Sequence, residues 1–243
     1  MYAQTNIQLY NQLIRNDCSP ADMTLIRRAY EIAVLLFSGL YRPCGKTFLD
    51  HAVGTASIVH ETLSKPELTA AGLLHSAYDH GDFGFAGRIS ARSSRKKIID
   101  SVGSEVEAYV WMYKELPWNM HNARKLHGRI DGMTQIEREV VLLRVANELE
   151  DHLNGGTLYC YSAAKHKGKL EERRELLSGL ACTLGFTSLQ DEIDRVFTEC
   201  ANQPVVPELL QRARRPRSYS ILPESCRRSA WLSAYSIMRR AFR

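Results

Sequence analysis

The side chains best suited to chemistry in this sequence are histidines within predicted helices. His51 lies inside one helix, and His75 lies near the end of the next, four residues before Asp79. A third helix, much later in the chain, carries the polar run 147–152. Helical bundles build metal sites from histidines on neighbouring helices and a carboxylate from another helix. The spacing predicts a metal site or, without a metal, acid–base groups in a helical cleft.

Polar and basic side chains near these histidines predict a pocket that binds an anion. Asp79 and His80 precede the segment 81–87, whose three glycines predict a loop. Loops on a rigid scaffold often carry functional groups. Arginine and lysine donate hydrogen bonds to phosphate and carboxylate groups. The cations that we expect to contact an anionic substrate are Arg42, Lys46 and Arg144.

The elements that must position these side chains are almost all helical. Apolar residues recur at helical spacing, and the segments 19–22, 64–67 and 134–137 have the composition of helix N-termini. No segment shows sustained alternation of apolar and polar residues, so we expect an all-α bundle without a sheet. The predicted helices cover about 19–38, 50–63, 64–75, 104–115, 134–154, 168–184, 188–202 and 224–241.

The formal net charge of +5 is distributed unevenly over the 243 residues. Residues 201–243 contain nine arginines and two acids, which leaves residues 1–200 with a charge of −2. A nearly neutral body argues against general nucleic-acid binding. We predict a helical domain over 1–203 and a basic extension over 204–243, with a linker at 212–223 before an amphipathic helix. That helix is expected to dock on the body, on an oligomer partner or on an acidic surface.

The sequence predicts a cytoplasmic protein without a membrane anchor. No run approaches 18 apolar residues, and the N-terminus lacks the basic and apolar regions of a secretory signal. The six cysteines are widely spaced, and none forms a CxxC pair. Reduced thiols are the simplest interpretation.

Four segments between residues 38 and 154 carry motifs in a defined order: YRPCGKTFLDHAVGTASIV, AAGLLHSAYDHG, SVGSEVEAYVWMYKEL and EREVVLLRVANELEDHL. Together they resemble the HD-domain hydrolases, and most of all the branch that hydrolyses guanosine tetraphosphate, the RelA/SpoT type. That branch has an Arg-x-x-Gly-x-x-Phe/Tyr-x-x-His start, a Leu-Leu-His-Asp motif followed by an acidic pair, a Gly-x-Glu-Val segment and a Leu-Ala-Asp helix. The resemblance implies an HD fold and a metal-dependent phosphohydrolase.

The resemblance also implies a metal site that has lost its carboxylates. The family's two metal-binding histidines fall on His51 and His75, whereas its two metal-binding aspartates fall on Ser76 and Asn147. A hydroxyl and an amide carry no negative charge, so affinity for a hard cation should fall steeply. A site rich in imidazole favours Zn²⁺, Fe²⁺ or Ni²⁺ over Mg²⁺. We expect one divalent metal, Mn²⁺, Fe²⁺ or Zn²⁺, or none.

Other positions of the family pattern fall on residues already singled out. The two acids that help to activate the attacking water fall on Asp79 and His80, which together with His75 are our candidate catalytic residues. The arginine that helps to hold the nucleotide falls on Arg42. The groups that could replace a lost metal carboxylate are His80, Asp79, Glu148 and Asp151.

Three functions remain open from the sequence. The first is an HD-fold enzyme with an altered metal site that hydrolyses, or otherwise acts on, a phosphorylated or anionic small molecule such as a nucleotide. The second is a metal-free biosynthetic lyase, isomerase or transferase on the same scaffold, in which the histidines act as acids and bases. The third is a non-catalytic module that binds a nucleotide or a partner protein.

Overall fold

The computed structural model describes residues 2–84, 91–211 and 218–221, and these residues form a bundle of α-helices. The all-α prediction is confirmed, while the helix predicted over 224–241 lies outside the described residues. No helix in the described ranges combines the length and apolarity needed to cross a membrane. The helices are α1 (Asn6–Arg15), α2 (Pro20–Phe37), α3 (Phe48–Leu63), α4 (Pro66–Leu74), α5 (Ala77–His80), α6 (Ala91–Val102), α7 (Ser104–Glu115), α8 (Met120–His127), α9 (Gln135–His152), α10 (Ala163–Lys167), α11 (Leu170–Thr183) and α12 (Thr187–Asn202).

Side-chain caps explain where two predicted helices begin. The Ser19 hydroxyl accepts a hydrogen bond from the backbone N–H of Asp22 at the start of α2. Thr134 accepts one from the N–H of Glu137 at the start of α9. In both cases the acid accepts a hydrogen bond from the backbone of the cap residue, so two otherwise unpaired N–H groups are satisfied.

The capping box predicted at 64–67 is wrong. Lys65 is the N-cap of α4 and makes no side-chain cap bond. Ser64 instead donates its hydroxyl proton to the carbonyl of His60 at 3.1 Å and ends α3. Pro66 lies in the first turn of α4. Backbone N–H groups in the first turn have no acceptor within the helix, so the N–H that proline lacks costs no hydrogen bond there.

The apolar pattern did not single out five of the described helices, which are α1, α5, α6, α8 and α10. In α6 the buried face consists only of Ser94, Ile98 and Val102, four residues apart. In α8 a single residue, Ala123, is buried. Such short helices bury too few apolar side chains for a periodic pattern to stand out.

The structure contains a small sheet, whereas the sequence predicted a bundle without one. Strand β1 (Leu40–Tyr41) pairs antiparallel with strand β2 (Tyr219–Ser220). Gly39 permits this pairing because its φ is +73°, and a Cβ there would lie 2.7 Å from the carbonyl oxygen of Ile221. Two residues per strand are too few for alternation to be visible in the sequence.

The chain after α12 remains in contact with the helical body. The backbone N–H of Gln211 donates to the carbonyl of Tyr159 at 2.9 Å, and β2 pairs with β1. The division of the chain into 1–203 and 204–243 stays a prediction. Docking of the basic amphipathic helix also stays a prediction, because that segment lies outside the described residues.

Helices α3 and α4 form the centre of the bundle, with α2 against α4 and α9 against α3. Residues 51–60 of α3 and 68–74 of α4 are all buried. The two helices approach closely at Gly72, where a Cβ would lie 2.8 Å from the Cα of Ala56. Because α3 is enclosed on every side, its polar side chains need partners inside the protein.

Candidate active site around a buried histidine pair

Two buried histidines meet inside the bundle, one from α3 and one from the end of α4. Nε2 of His51 lies 3.2 Å from Nε2 of His75 and 3.0 Å from Oδ1 of Asn147 on α9. The two histidines are 0% and 1% exposed, respectively. The fold therefore gathers three of the four residues that the resemblance implied as metal ligands.

The outer nitrogen of each histidine is held by an oxygen acceptor. Nδ1 of His51 is hydrogen-bonded to Oε2 of Glu150. Nδ1 of His75 donates to the carbonyl of Gly72 at 2.7 Å. Metal-binding histidines usually have this arrangement, because a carboxylate or carbonyl on the outer nitrogen fixes the ring and its tautomer.

These partners restrict where the protons of the pair lie. A carbonyl and a carboxylate only accept hydrogen bonds, so each neutral imidazole is assigned its proton on Nδ1. The inner nitrogens of His51 and His75 then present lone pairs to each other, and that of His51 also faces the amide oxygen of Asn147. Lone pairs this close repel one another unless a proton or a cation lies between them.

Two ion pairs anchor the carboxylates behind His51. The Lys46 ammonium donates to Oε1 of Glu150, and the Arg42 guanidinium donates to Asp151 at 2.6 Å. Oδ1 of Asp151 also lies 3.6 Å from Nδ1 of His51. Two of the three cations expected to bind substrate are thus paired with acids, and their contact with a substrate stays a prediction.

Burial decides the protonation of these groups. It holds the pKa of His51 and of His75 well below the usual range, and the positive charge of Arg42 contributes at His51. Burial also raises the pKa of Glu150 to about 7, although Lys46 and Arg42 oppose this shift. Both imidazoles are therefore neutral at pH 7, while Glu150 can take up a proton close to neutrality.

The other residues predicted near the pair follow His75 in the chain. Ser76 is buried and precedes α5, whereas Asp79 in α5 is exposed. The ring of His80 packs against Phe48, with 4.9 Å between the ring centroids. The metal-binding role of Ser76 and the catalytic roles of Asp79 and His80 stay predictions.

Arg144 contacts the C-terminal end of α7. Its guanidinium donates to the carbonyl of Tyr113 and, at 3.1 Å, to that of Leu116, and it lies 3.5 Å from the centroid of the Tyr113 ring. That ring packs edge-on against His75, with 5.0 Å between centroids. Arg144 therefore holds the Tyr113 ring that packs against His75. Its contact with a substrate stays a prediction.

One group of atoms that could hold a cation lies on the outer side of His51. Nδ1 of His51 and carboxylate oxygens of Glu150 and Asp151 lie within 4.8 Å of one another. Lys46 and Arg42 already neutralise these two carboxylates. A metal ion there would have to compete with both cations, so the outer side is poorly suited to one.

The inner side of the pair fits a metal ion better. Its donors are Nε2 of His51, Nε2 of His75 and Oδ1 of Asn147, with separations of 3.2 and 3.0 Å from the His51 nitrogen. Ligands about 2.1 Å from a single ion lie about 3.0–3.4 Å apart. Two imidazoles and an amide oxygen suit Zn²⁺, Fe²⁺ or Mn²⁺ better than Mg²⁺.

Glu150 is the important site residue that sequence reasoning missed. Glu148 and Asp151 were expected as replacement carboxylates, but Glu148 pairs with Arg173 at 2.7 Å. Glu150 follows Asn147 by three residues and so lies on the same face of α9. This spacing was the available signal, although the neighbouring acids Glu148 and Asp151 hid it.

The chain resembles a GTP pyrophosphokinase. That protein, from Streptomyces antibioticus, is 24% identical over 169 residues, which cover 70% of this chain and 19% of the relative. The chain thus spans about a fifth of that protein. Residues 40–117 also match a family described as a domain of unknown function, DUF6817, and this range includes both histidines of the pair.

Proposed function

We propose that this chain is an HD-fold enzyme that hydrolyses, or otherwise acts on, a phosphorylated small molecule such as a nucleotide, with a divalent metal at the histidine pair. The observation that carries the proposal is that Nε2 of His51 lies 3.2 Å from Nε2 of His75 and 3.0 Å from Oδ1 of Asn147, with both outer nitrogens held by acceptors. The similarity to a protein named GTP pyrophosphokinase supports a nucleotide as the substrate.

In this proposal neighbouring residues orient the two histidines that would bind the metal. Glu150 orients the His51 ring and keeps its proton on Nδ1, and Lys46 holds Glu150 in place. The Gly72 carbonyl does the same for His75. A divalent ion bound there would act as a Lewis acid and lower the pKa of a bound water. Asp79 and His80 are the proposed proton carriers, and Arg42 and Lys46 the proposed contacts to phosphate.

The first prediction concerns His75. His75→Ala should remove most of the bound metal and lower kcat/KM by about 100-fold or more, as expected for loss of a group at the reacting centre. The measurement is elemental analysis of the purified protein, followed by phosphate release from guanosine nucleotides with Mn²⁺, Fe²⁺ or Zn²⁺.

His121→Ala is the matched control, because His121 is exposed on α8. It should retain both metal and turnover. The proposal fails if wild-type protein holds no metal and turns over no nucleotide with any of the three ions. It also fails if His75→Ala behaves like His121→Ala.

A metal-free reaction at the same pair is the second candidate. A protonated Glu150, favoured by its pKa of about 7, would donate to Nδ1 of His51. The His51 proton would then lie on Nε2 and point at His75 or Asn147, which gives an acid–base pair without a metal. Turnover that survives EDTA but is lost in His75→Ala would select this candidate over the first.

The second prediction restores the missing charge. Ser76→Asp combined with Asn147→Asp should raise Mn²⁺ affinity by about tenfold or more, because hard cations prefer carboxylate oxygens. Titration calorimetry of the full chain measures the change. Ser188→Asp with Asn119→Asp adds the same charges at exposed positions and should leave the affinity unchanged; equal gains in both variants would exclude a site at the histidine pair.

A further inference from the structure

A cavity apart from the histidine pair lies where α8, α9 and α11 meet. Its volume is about 280 Å³. Helix α8 contributes Met120 and Ala123 to the lining, and α11 contributes Leu176 and Leu177. An engineered apolar cavity of about 150 Å³ is large enough to bind benzene. The cavity between these helices therefore has room for a substituted aromatic ring.

Contacts beyond the cavity hold α8 on α11. Nε2 of His127, at the end of α8, lies 2.8 Å from the hydroxyl oxygen of Thr183. The Arg124 guanidinium donates to Glu172 at 2.7 Å. The two helices approach closely at Gly179, where a Cβ would lie 3.0 Å from Cε1 of His127. The helices are therefore fixed relative to each other, and the cavity is present before a ligand binds.

A partly buried ion pair forms the polar part of the lining. Oε2 of Glu148 accepts a hydrogen bond from Nη1 of Arg173 at 2.7 Å, and Oε1 accepts one from the indole N–H of Trp118 at 3.0 Å. All three residues line the cavity. Both carboxylate oxygens thus have a donor, and the two charges balance. An uncharged ligand fits this lining better than an ion, because an ion would bring an unbalanced charge to a pair that is already satisfied.

One hydrogen-bond donor of the lining residues lacks a partner. Nε of Arg173 is buried, and it has no acceptor within the part of the chain that the structure describes. A buried N–H without an acceptor is costly, so such groups are rare in folded proteins. A carbonyl oxygen of a ligand would supply the acceptor. The indole of Trp118 and the thioether of Met120 are side chains that pack favourably on aromatic rings.

We propose that this cavity binds an uncharged aromatic molecule that carries one carbonyl group. The carbonyl oxygen accepts the Nε–H of Arg173, and the ring packs between Trp118 and the apolar side chains of α8 and α11. Small-molecule sites commonly combine an apolar lining with a few polar groups that fix the orientation of the ligand. The site does not depend on the proposed enzymatic function, because neither His51 nor His75 lines the cavity.

The test uses acetophenone as the probe and NMR of the methionine methyl groups in the full chain. The Met120 signal, assigned with Met120→Leu, should shift saturably with a Kd of about 1 mM or lower. The Met23 signal should not shift, because Met23 lies on α2 and does not line the cavity. A nuclear Overhauser effect between acetophenone and the Met120 methyl group should place the probe in wild-type protein, without reliance on any variant.

Arg173→Lys tests the hydrogen bond. Lysine keeps a positive charge beside Glu148 but has no N–H at the position of Nε. The substitution should weaken acetophenone binding about fivefold or more, and it should leave binding of toluene, which has no acceptor, unchanged. Arg195→Lys is the matched control, because Arg195 is an exposed arginine of α12 that pairs with Glu192. It should leave the binding of both probes unchanged.

Three results would overturn the proposal. The first is no shift of the Met120 signal at about 10 mM acetophenone, ten times the expected Kd. The second is a shift of the Met23 signal as large as that of Met120. The third is an equal effect of Arg173→Lys on acetophenone and on toluene. Circular dichroism establishes that each variant is folded, and the Overhauser effect in wild-type protein decides alone if Arg173→Lys is not.

Discussion

Glu150→Ala should lower the free energy of unfolding by about 3 kcal/mol, a large effect for a single substitution. The substitution leaves Nδ1 of His51 without its acceptor in a fully buried position and removes the carboxylate that pairs with Lys46. Removing one partner of a buried ion pair costs about 3–5 kcal/mol. We expect the lower end because Lys46 is 26% exposed and keeps Gln4 as an acceptor.

Urea unfolding in the presence of EDTA measures this change without a contribution from bound metal. Glu150→Gln keeps the side-chain volume and one carbonyl acceptor, so its loss should be smaller, about 1 kcal/mol. Glu115→Ala removes an exposed acid that pairs with Lys114 and should cost less than about 1 kcal/mol. Equal losses for Glu150→Ala and Glu115→Ala would contradict the role given to Glu150.

Gly54→Ala should destabilise the protein by about 2–3 kcal/mol, as overpacking of a core does. A Cβ at Gly54 would lie 2.5 Å from Oε1 and 2.7 Å from Cγ of Glu150. The carboxylate cannot withdraw freely, because it is held by His51 and Lys46. The substitution therefore separates Glu150 from at least one partner, although alanine alone would favour the helix by about 1 kcal/mol.

The same substitution in the Glu150→Ala background is the decisive comparison. Without the carboxylate there is room for the Cβ, and Gly54→Ala should then stabilise the protein by up to about 1 kcal/mol. The double-mutant cycle should give a coupling energy of about 3 kcal/mol, near the upper end for residues in contact. A stabilising Gly54→Ala in the wild-type background would show that α3 and α9 are not in close contact at this point.

The sequence was sufficient for much of the helical framework. Capping at Ser19 and Thr134 depends on groups within four residues of each other, so the starts of α2 and α9 could be predicted locally. The 64–67 box failed because Ser64 had two possible partners, and its hydroxyl donates to the carbonyl four residues behind it in α3. Short helices such as α8, with one buried residue, left almost no local signal.

The chemistry at the site was only partly visible in the sequence. His51, His75 and Asn147 were singled out by type and by resemblance, and the fold brings His51 into contact with both of the others. Glu150 was not singled out in the sequence, because its partner His51 lies 99 residues away and neighbouring acids carry the same charge. Which acid faces α3 is decided by the rotation of α9 and by the absence of a side chain at Gly54.

The sequence by itself therefore determined most of the longer helices, the caps at Ser19 and Thr134 and the supply of candidate side chains, since these depend on residues close together in the chain. Only the tertiary structure decided the partners. It paired Arg42 and Lys46 with acids and set Glu150 behind His51. The physical reason is that such pairs depend on how helices pack in three dimensions, and local periodicity carries no record of that packing.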